Sequence, residues 1–293
     1  MKKEIGNATL YLGKMEDIIP TLNSVDCIFS DPPYNYIKTH DFDRPFNEQL
    51  FFENAKRLLP DDGFIALFGR GTSFYRWNTR LADLGFEFKE EIVWDKYISS
   101  GPCLPMARTH ETISVYTKKT GKIRRVKIPY IEQRQFDNER IIEDINYIKK
   151  TINSEKGLNR IIKYLETGDV EYAGKEKNKH GMTQKNLTIN KIYGDIHIIR
   201  RIQDGMPEKT IVKIQSNHHN PVHPTEKPVR LAERILALIS DPGDTILDPF
   251  MGSGSFGVAC IRTGRNYIGI EIDSGYFKTA CRRIREENPL LNQ

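Results

Sequence analysis

Leu247-Asp248-Pro249-Phe250-Met251-Gly252-Ser253-Gly254-Ser255-Phe256-Gly257, followed a short way on by Tyr267-Ile268-Gly269-Ile270-Glu271-Ile272-Asp273, decides how the chain is read. Thr245–Leu247 has the pattern of a strand, Ser255–Thr263 that of a helix and Tyr267–Ile272 that of a second strand. A glycine-rich turn between strand and helix lets backbone come close to a ligand and aims helix N–H groups at it. The spacing is not the GxGxxG of a dinucleotide turn, which disfavours a nicotinamide site, and alone the segment is equally a tight turn. An acidic residue closing the next strand can accept both hydroxyls of a ribose. Glu271 stands at that carboxyl end, whereas Asp273 would serve as well as the cap of the following helix.

Working outward, Pro228–Ser240 is an amphipathic helix with Leu231, Ile235, Leu238 and Ile239 on one face, and Gly275–Glu287 is a closing helix. At the other end of the chain, Ala8–Leu12 and Val25–Phe29 read as strands around a helical stretch, Lys14–Leu22. Phe46–Leu59 is a helix, Phe64–Phe68 a buried-type strand, Thr72–Leu84 a helix capped by Gly85, and Phe86–Trp94 and Thr112–Tyr116 are strands. This alternation predicts an α/β fold, a doubly wound and mostly parallel sheet with helices on both faces.

The alternation breaks between the flanks. There a strand-like piece, Ile123–Tyr130, precedes two helix-periodic stretches, Glu139–Lys150 and Glu155–Glu166, and a loop-like segment, Gly174–Asn186. Ile189–Ile202 and Thr210–Ile214 are predicted as further strands. The expected organisation is one domain made of residues 1–117 and 216–293, interrupted by a module at 118–215. Within 118–215 there are 22 Lys+Arg against 13 Asp+Glu, which leaves 22 against 26 elsewhere, so the net charge of +5 comes from the middle block. Such a block is a solvated lysine-rich surface or a nucleic-acid footprint, and charge alone does not choose. No stretch approaches the roughly 18 apolar residues of a membrane span. Met1-Lys2-Lys3-Glu4 leads into no apolar signal segment. Cys27, Cys103, Cys260 and Cys281 are far apart and form no CxxC pair, so thiols in a cytoplasmic protein are expected, with no metal site.

Ser30-Asp31-Pro32-Pro33-Tyr34 directly follows a predicted strand. Two prolines remove two N–H donors and hold their carbonyls in place. A carboxylate, rigid carbonyls and an aromatic ring within four residues suit a flat ring that carries an amino group. A rigid turn is the other reading. Trp94 and the pair His110-Glu111 are predicted at strand ends near this segment, where core packing and a role in the site are equally open.

Asp31–Tyr34, His223-Pro224-Thr225-Glu226-Lys227-Pro228, Asp248–Gly257 and Gly269–Asp273, in this order, together resemble the beta group of DNA amino-methyltransferases. The resemblance covers about the first 117 residues and the last 75. It implies the S-adenosylmethionine-dependent methyltransferase fold in circularly rearranged form, with 118–215 as an inserted target-recognition region. It implies transfer of a methyl group from S-adenosylmethionine to N6 of adenine in double-stranded DNA, with the base flipped out of the helix. Asp31, Pro32, Pro33 and Tyr34 would be catalytic. Asp31, Thr225, Lys227, Asp248, Phe250, Gly252, Ser253, Gly254, Glu271 and Ile272 would hold the cofactor. A homodimer and a cognate restriction nuclease are compatible partners, and no membrane is implied. N4 of cytosine is the alternative target, although related cytosine enzymes more often carry Ser where this chain has Asp31. RNA-base methylation is a further alternative, but such enzymes usually place the cofactor block first. A binding protein with a decayed site is disfavoured by the intact motifs.

Overall fold

Cys27–Ser30 and Phe64–Gly69 are buried along their whole length, as strands covered on both faces must be. They lie at the centre of the protein, whose computed structural model describes residues 1–34, 45–100, 106–167, 194–215 and 226–287. In chain order the first elements are β1 (Lys2–Ile5), β2 (Ala8–Leu12), α1 (Met15–Ile18), β3 (Cys27–Ser30), α2 (Glu48–Leu58), β4 (Phe64–Gly69), α3 (Gly71–Asp83), β5 (Glu87–Ser100) and β6 (Arg108–Thr117). There follow β7 (Lys127–Ile128), α4 (Tyr130–Arg134), α5 (Asn138–Ile152), α6 (Glu155–Thr167), α7 (Gly194–Asp204) and β8 (Met206–Pro207). The last are β9 (Ile211–Lys213), α8 (Val229–Ile239), β10 (Thr245–Asp248), α9 (Ser255–Arg262), β11 (Asn266–Glu271) and α10 (Ser274–Glu286).

The chain divides into two compact units, Met1–Val126 with Lys209–Gln293, and Lys127–Glu208. The first holds a nine-stranded sheet in the order β1-β2-β11-β10-β3-β4-β6-β5-β9. Its centre, β2 through β4, is parallel, and β6 runs antiparallel to both β4 and β5. Alternation along the strands sorts the two cores. Cys27, Phe29, Phe64, Ala66 and Phe68 face Leu231, Ile235, Phe256 and Ile284. Ile28, Ile65 and Leu67 face Phe51, Phe52, Trp77 and Leu81 from α2 and α3. Phe29 stacks on Phe256 with ring centroids 4.2 Å apart, which ties β3 to α9.

Strand order places the site. β3 and β10 are parallel neighbours, with Ile246 opposite Cys27 and Leu247 opposite Ile28. From β10 the chain winds outward to β11, and from β3 it winds the other way to β4. The boundary between the two windings is the switch point at which open α/β sheets gather ligands, beyond the carboxyl ends of the strands.

Residues just after β6 belong with the sheet. Lys118 N donates to Gly63 O, and Arg124 N to Leu238 O, at 3.0 and 2.9 Å. β9 is the edge strand beside β5. In the second unit two sequence expectations are corrected. The strand expected over Ile123–Tyr130 shrinks to Lys127–Ile128, which pairs with β8, and Tyr130 already opens α4. The strand expected over Ile189–Ile202 is helix from Gly194 onward, residues 189–193 lying outside the described part. Ile196 and Ile198 mimic strand alternation, but in the helix Ile196 packs with Ile199 against Tyr164, at helical spacing, and Asp195 and Ile198 are buried as well. The segment Gly174–Asn186 and Cys103 also lie outside the described residues. Among the described residues no helix is long and apolar enough to cross a membrane.

Candidate active site

Ser30 closes β3 and Asp248 closes β10, and the Ser30 hydroxyl donates to Asp248 Oδ1 at 2.6 Å. Phe250 N also donates to Oδ1, and the Tyr267 hydroxyl donates to Oδ2, at 3.2 and 3.1 Å. Asp248 is 1% exposed, so its carboxylate is a clasp beneath three strands. Burial lifts its pKa to about 7, against the pull of those three donors.

Beyond Asp248 the chain turns through Gly252 and Gly254, whose φ angles of 53° and 84° lie in the left-handed region that favours glycine. Glu271, at the end of β11, accepts from Gly252 N at 2.8 Å and from Asp273 N at 2.7 Å. Burial raises the Glu271 carboxyl above its usual value, opposed by those N–H donors. Asp273 is the cap of α10, accepting from Gly275 N and Tyr276 N. The turn is pinned from behind. Arg283 of α10 donates to Ser253 O and Oγ at 3.0 and 2.9 Å and pairs with Glu226 at 2.6 Å. Phe250 packs on Phe46 at 4.8 Å, and Ile272 is exposed at the rim.

The loop after β3 runs alongside this turn, because Ser30 and Asp248 are in contact. The Tyr34 carbonyl accepts from Ser73 Oγ at 2.7 Å near the start of α3, and its ring lies 6.0 Å from that of Trp77. The Tyr34 hydroxyl donates to Asp31 Oδ1 at 2.5 Å. Burial and the Asp31 carboxylate raise the Tyr34 phenol well above its ordinary value. Asp31 Oδ2 accepts from Lys227 Nζ, also at 2.5 Å. Lys227 in turn lies 3.1 Å from Glu111 Oε2 and 5.0 Å from the centre of the Phe68 ring. Lys96 pairs with Glu111 Oε1. Burial raises the Asp31 carboxyl, and Lys227 pulls it back. For Glu111, burial is outweighed by Lys227 and Lys96, which hold it down to about 2. Burial would lower Lys227, but Asp31 and Glu111 together keep it above the usual lysine value.

Of the residues singled out from sequence, Asp31–Tyr34, Asp248, Phe250, Gly252–Gly254, Glu271 and Ile272 are thus placed around one switch point. Thr225 lies outside the described residues. Lys227 is aimed at Asp31 and Glu111. Trp94 is core, 2% exposed, with its indole N–H donating to Ile214 O at 2.8 Å, and His110 is exposed. Sequence reasoning left Glu111 undecided and missed Lys96, Ser73 and Arg283. The signal for the first two is a charged residue at period two from buried apolar ones, Lys96 after Ile92 and Trp94, and Glu111 before Ile113 and Val115. Ser73 and Arg283 act on backbone and leave no motif.

Residues 25–282 match the model of a family described as DNA methylase. The DNA adenine methyltransferase YhdJ of Escherichia coli (strain K12) is 29% identical over 269 residues, covering 89% of this chain and 76% of that protein. The type II methyltransferase M.HpaI of Haemophilus parainfluenzae is 27% identical over 290 residues, covering 96% of this chain and 73% of its own. Among solved structures, the M1.HpyAVI–SAM complex matches with a TM-score of 0.56 at 22% identity, covering 94% of this chain and 99% of that one. At that identity the likeness speaks for the fold.

Proposed function

The chain belongs to the DNA methylase family and is an S-adenosylmethionine-dependent DNA methyltransferase, and we propose that its target is N6 of adenine in duplex DNA, with Asp31 as the group that receives the amine. The observation that carries the site is the contact between Ser30 and Asp248, which sets the Asp31 loop beside the glycine turn. The adenine preference is supported by the name of the relative YhdJ and by Asp at position 31.

The residues present fit the cofactor. A Cβ added at Gly252 would meet nothing within 4 Å, so open space lies beside the Glu271 carboxylate. A half-buried carboxylate next to a turn that offers N–H groups suits a ribose with two vicinal hydroxyls. Glu271 would accept those hydroxyls, the Gly252–Gly254 turn would carry the amino-acid end, and Phe250 and Ile272 would flank the adenine.

When bound, S-adenosylmethionine supplies an activated methyl on a sulfonium sulfur, which keeps the bond's electron pair as the amine nitrogen takes the methyl. The exocyclic amine is a poor nucleophile because its lone pair is shared with the ring. Asp31, with a Pro32 or Pro33 carbonyl, would accept the two N–H bonds and draw electron density back to nitrogen. The same acceptors stabilise the positive charge that develops there, an electrostatic contribution made at the transition state. The extra proton then leaves to solvent. Tyr34 would stack on the flipped base, offsetting roughly 1–3 kcal/mol of the unstacking cost. The basic residues of 118–215 would contact phosphates, which position the duplex without reading it.

Mass analysis of nucleosides from long unmethylated duplex DNA, after incubation with the protein and S-adenosylmethionine, tests the assignment. N6-methyladenine is expected from the wild-type chain. Asp31→Ala should lose at least about 100-fold in turnover while still binding the cofactor. N4-methylcytosine as the product would overturn the adenine target, and turnover retained by Asp31→Ala would overturn the role of Asp31.

A further inference from the structure

Both oxygens of Asp31 already have donors. Oδ1 takes the Tyr34 hydroxyl and Oδ2 the Lys227 ammonium, each at 2.5 Å. An incoming amine needs one of those oxygens free of strong competition. Lys227 is 6% exposed, and a buried ammonium that leaves its partner with no other anion at hand is strongly destabilised. Another anion is at hand, since Glu111 Oε2 is 3.1 Å from the same nitrogen. The far oxygen of Glu111 is held by Lys96, and the Glu111 side chain is 13% exposed, so the carboxylate is fixed and largely shielded from water. Lys227 therefore sits between two carboxylates that it can pair with at little change in burial.

We propose that Glu111 is a positioning residue for methyl transfer, which takes the Lys227 ammonium from Asp31 so that Asp31 can receive the target amine. This rests on the methyltransferase reading above and adds to it a second carboxylate that never touches the substrate. The four groups Asp31, Glu111, Lys96 and Lys227 balance in charge, so the ammonium moves within a neutral cluster. Tyr34, the buried Asp248 and, acting on Tyr34, Arg70 also belong to the charged and titratable surroundings of Asp31. With Glu111 neutral, Lys227 has Asp31 as its remaining carboxylate in the cluster, and the amine competes with a full ion pair.

The test is a double-mutant cycle in single-turnover methyl transfer, with tritiated S-adenosylmethionine and long unmethylated duplex DNA. Glu111→Gln keeps the shape and removes the charge. Its transfer rate is expected to fall about tenfold or more, with the KM for cofactor and for DNA within about threefold of wild type. In a Lys227→Met background, adding Glu111→Gln should change the rate by less than about twofold, because the group it acts through is gone. Glu111→Asp, which restores the charge on a shorter stem, should recover part of the loss and serves as the reference if Glu111→Gln folds poorly. An equal fall in both backgrounds, or failure of Glu111→Asp to exceed Glu111→Gln, would overturn the proposal. Absence of transfer by the wild-type chain overturns the reading of function instead, so the two failures are distinct.

Discussion

Gly252→Ala separates what the fold needs from what the cofactor needs. Gly252 has φ 53°, and a Cβ built on it meets nothing within 4 Å. Gly243, in the turn before β10, has φ 95° and is equally open. A side chain in the left-handed region costs about 1–2 kcal/mol, so Gly252→Ala and Gly243→Ala should both lose that much folding stability and nothing more from packing. Gly254→Ala is a harsher change, since its Cβ would come within 2.8 Å of Ala280 Cβ and 3.0 Å of Ala280 Cα on α10. The cofactor reading adds an effect that strain alone does not. The open space at Gly252 borders the Glu271 carboxylate, whose Oε2 is 2.8 Å from Gly252 N. A methyl group there should intrude on the ligand at a cost of about 1–3 kcal/mol, which is roughly 5- to 150-fold in affinity. Calorimetric titration with S-adenosylmethionine, beside denaturant unfolding of the same preparations, measures both quantities. Gly243→Ala should bind like wild type, and Gly252→Ala should bind weakly at the same stability. Equal affinities for the two variants would refute the placement of the cofactor over Gly252.

Asp248 carries a pH signature. Its carboxyl titrates at about 7 in the folded protein against 3.8 for an ordinary aspartate, so between those values the folded chain keeps a proton that the unfolded chain has released. Stability should therefore fall as pH rises from about 4 to 7, by at most roughly 1.4 kcal/mol per unit, and Asp248→Asn should flatten that slope. Urea midpoints for both proteins across this range decide it, and parallel curves would contradict the raised value. Tyr34→Ala should weaken DNA binding by the stacking contribution, about 1–3 kcal/mol, while Tyr34→Phe keeps the ring and loses only the hydroxyl contact with Asp31. Equal losses in DNA affinity for the two variants would move the role of Tyr34 from its ring to its hydroxyl.

The features legible in the sequence were those written in consecutive residues. The turn at Gly252–Gly254 and the Asp31–Tyr34 loop announce themselves because a backbone forced into unusual conformations leaves glycine and proline behind. The buried runs of β3 and β4 read as strands because both faces had to be covered. What joins them, the pairing of Leu247 with Ile28 across more than 200 residues, follows from no local pattern. Where burial is one-sided and partial, the reading failed. In α7 the residue Ile202 is 52% exposed although apolar, so the helical period is blurred and Ile196 with Ile198 passed for strand alternation.

Glu111 marks a different limit. In the hairpin of β5 and β6 it stands opposite Trp94, and directly opposed residues share a face. Trp94 is part of the core, so a carboxylate beside it must find cations or lose its charge. Lys96 is two residues along the strand from Trp94, and Lys227 arrives from another part of the chain altogether. That Glu111 meets Trp94 is not visible until the register of the hairpin is known. Once it is, the need for compensation is forced by burial, and it links the β5–β6 hairpin to Asp31 through a single ammonium group. Activity of the Asp31 loop should then depend on a strand pair that carries no recognisable motif.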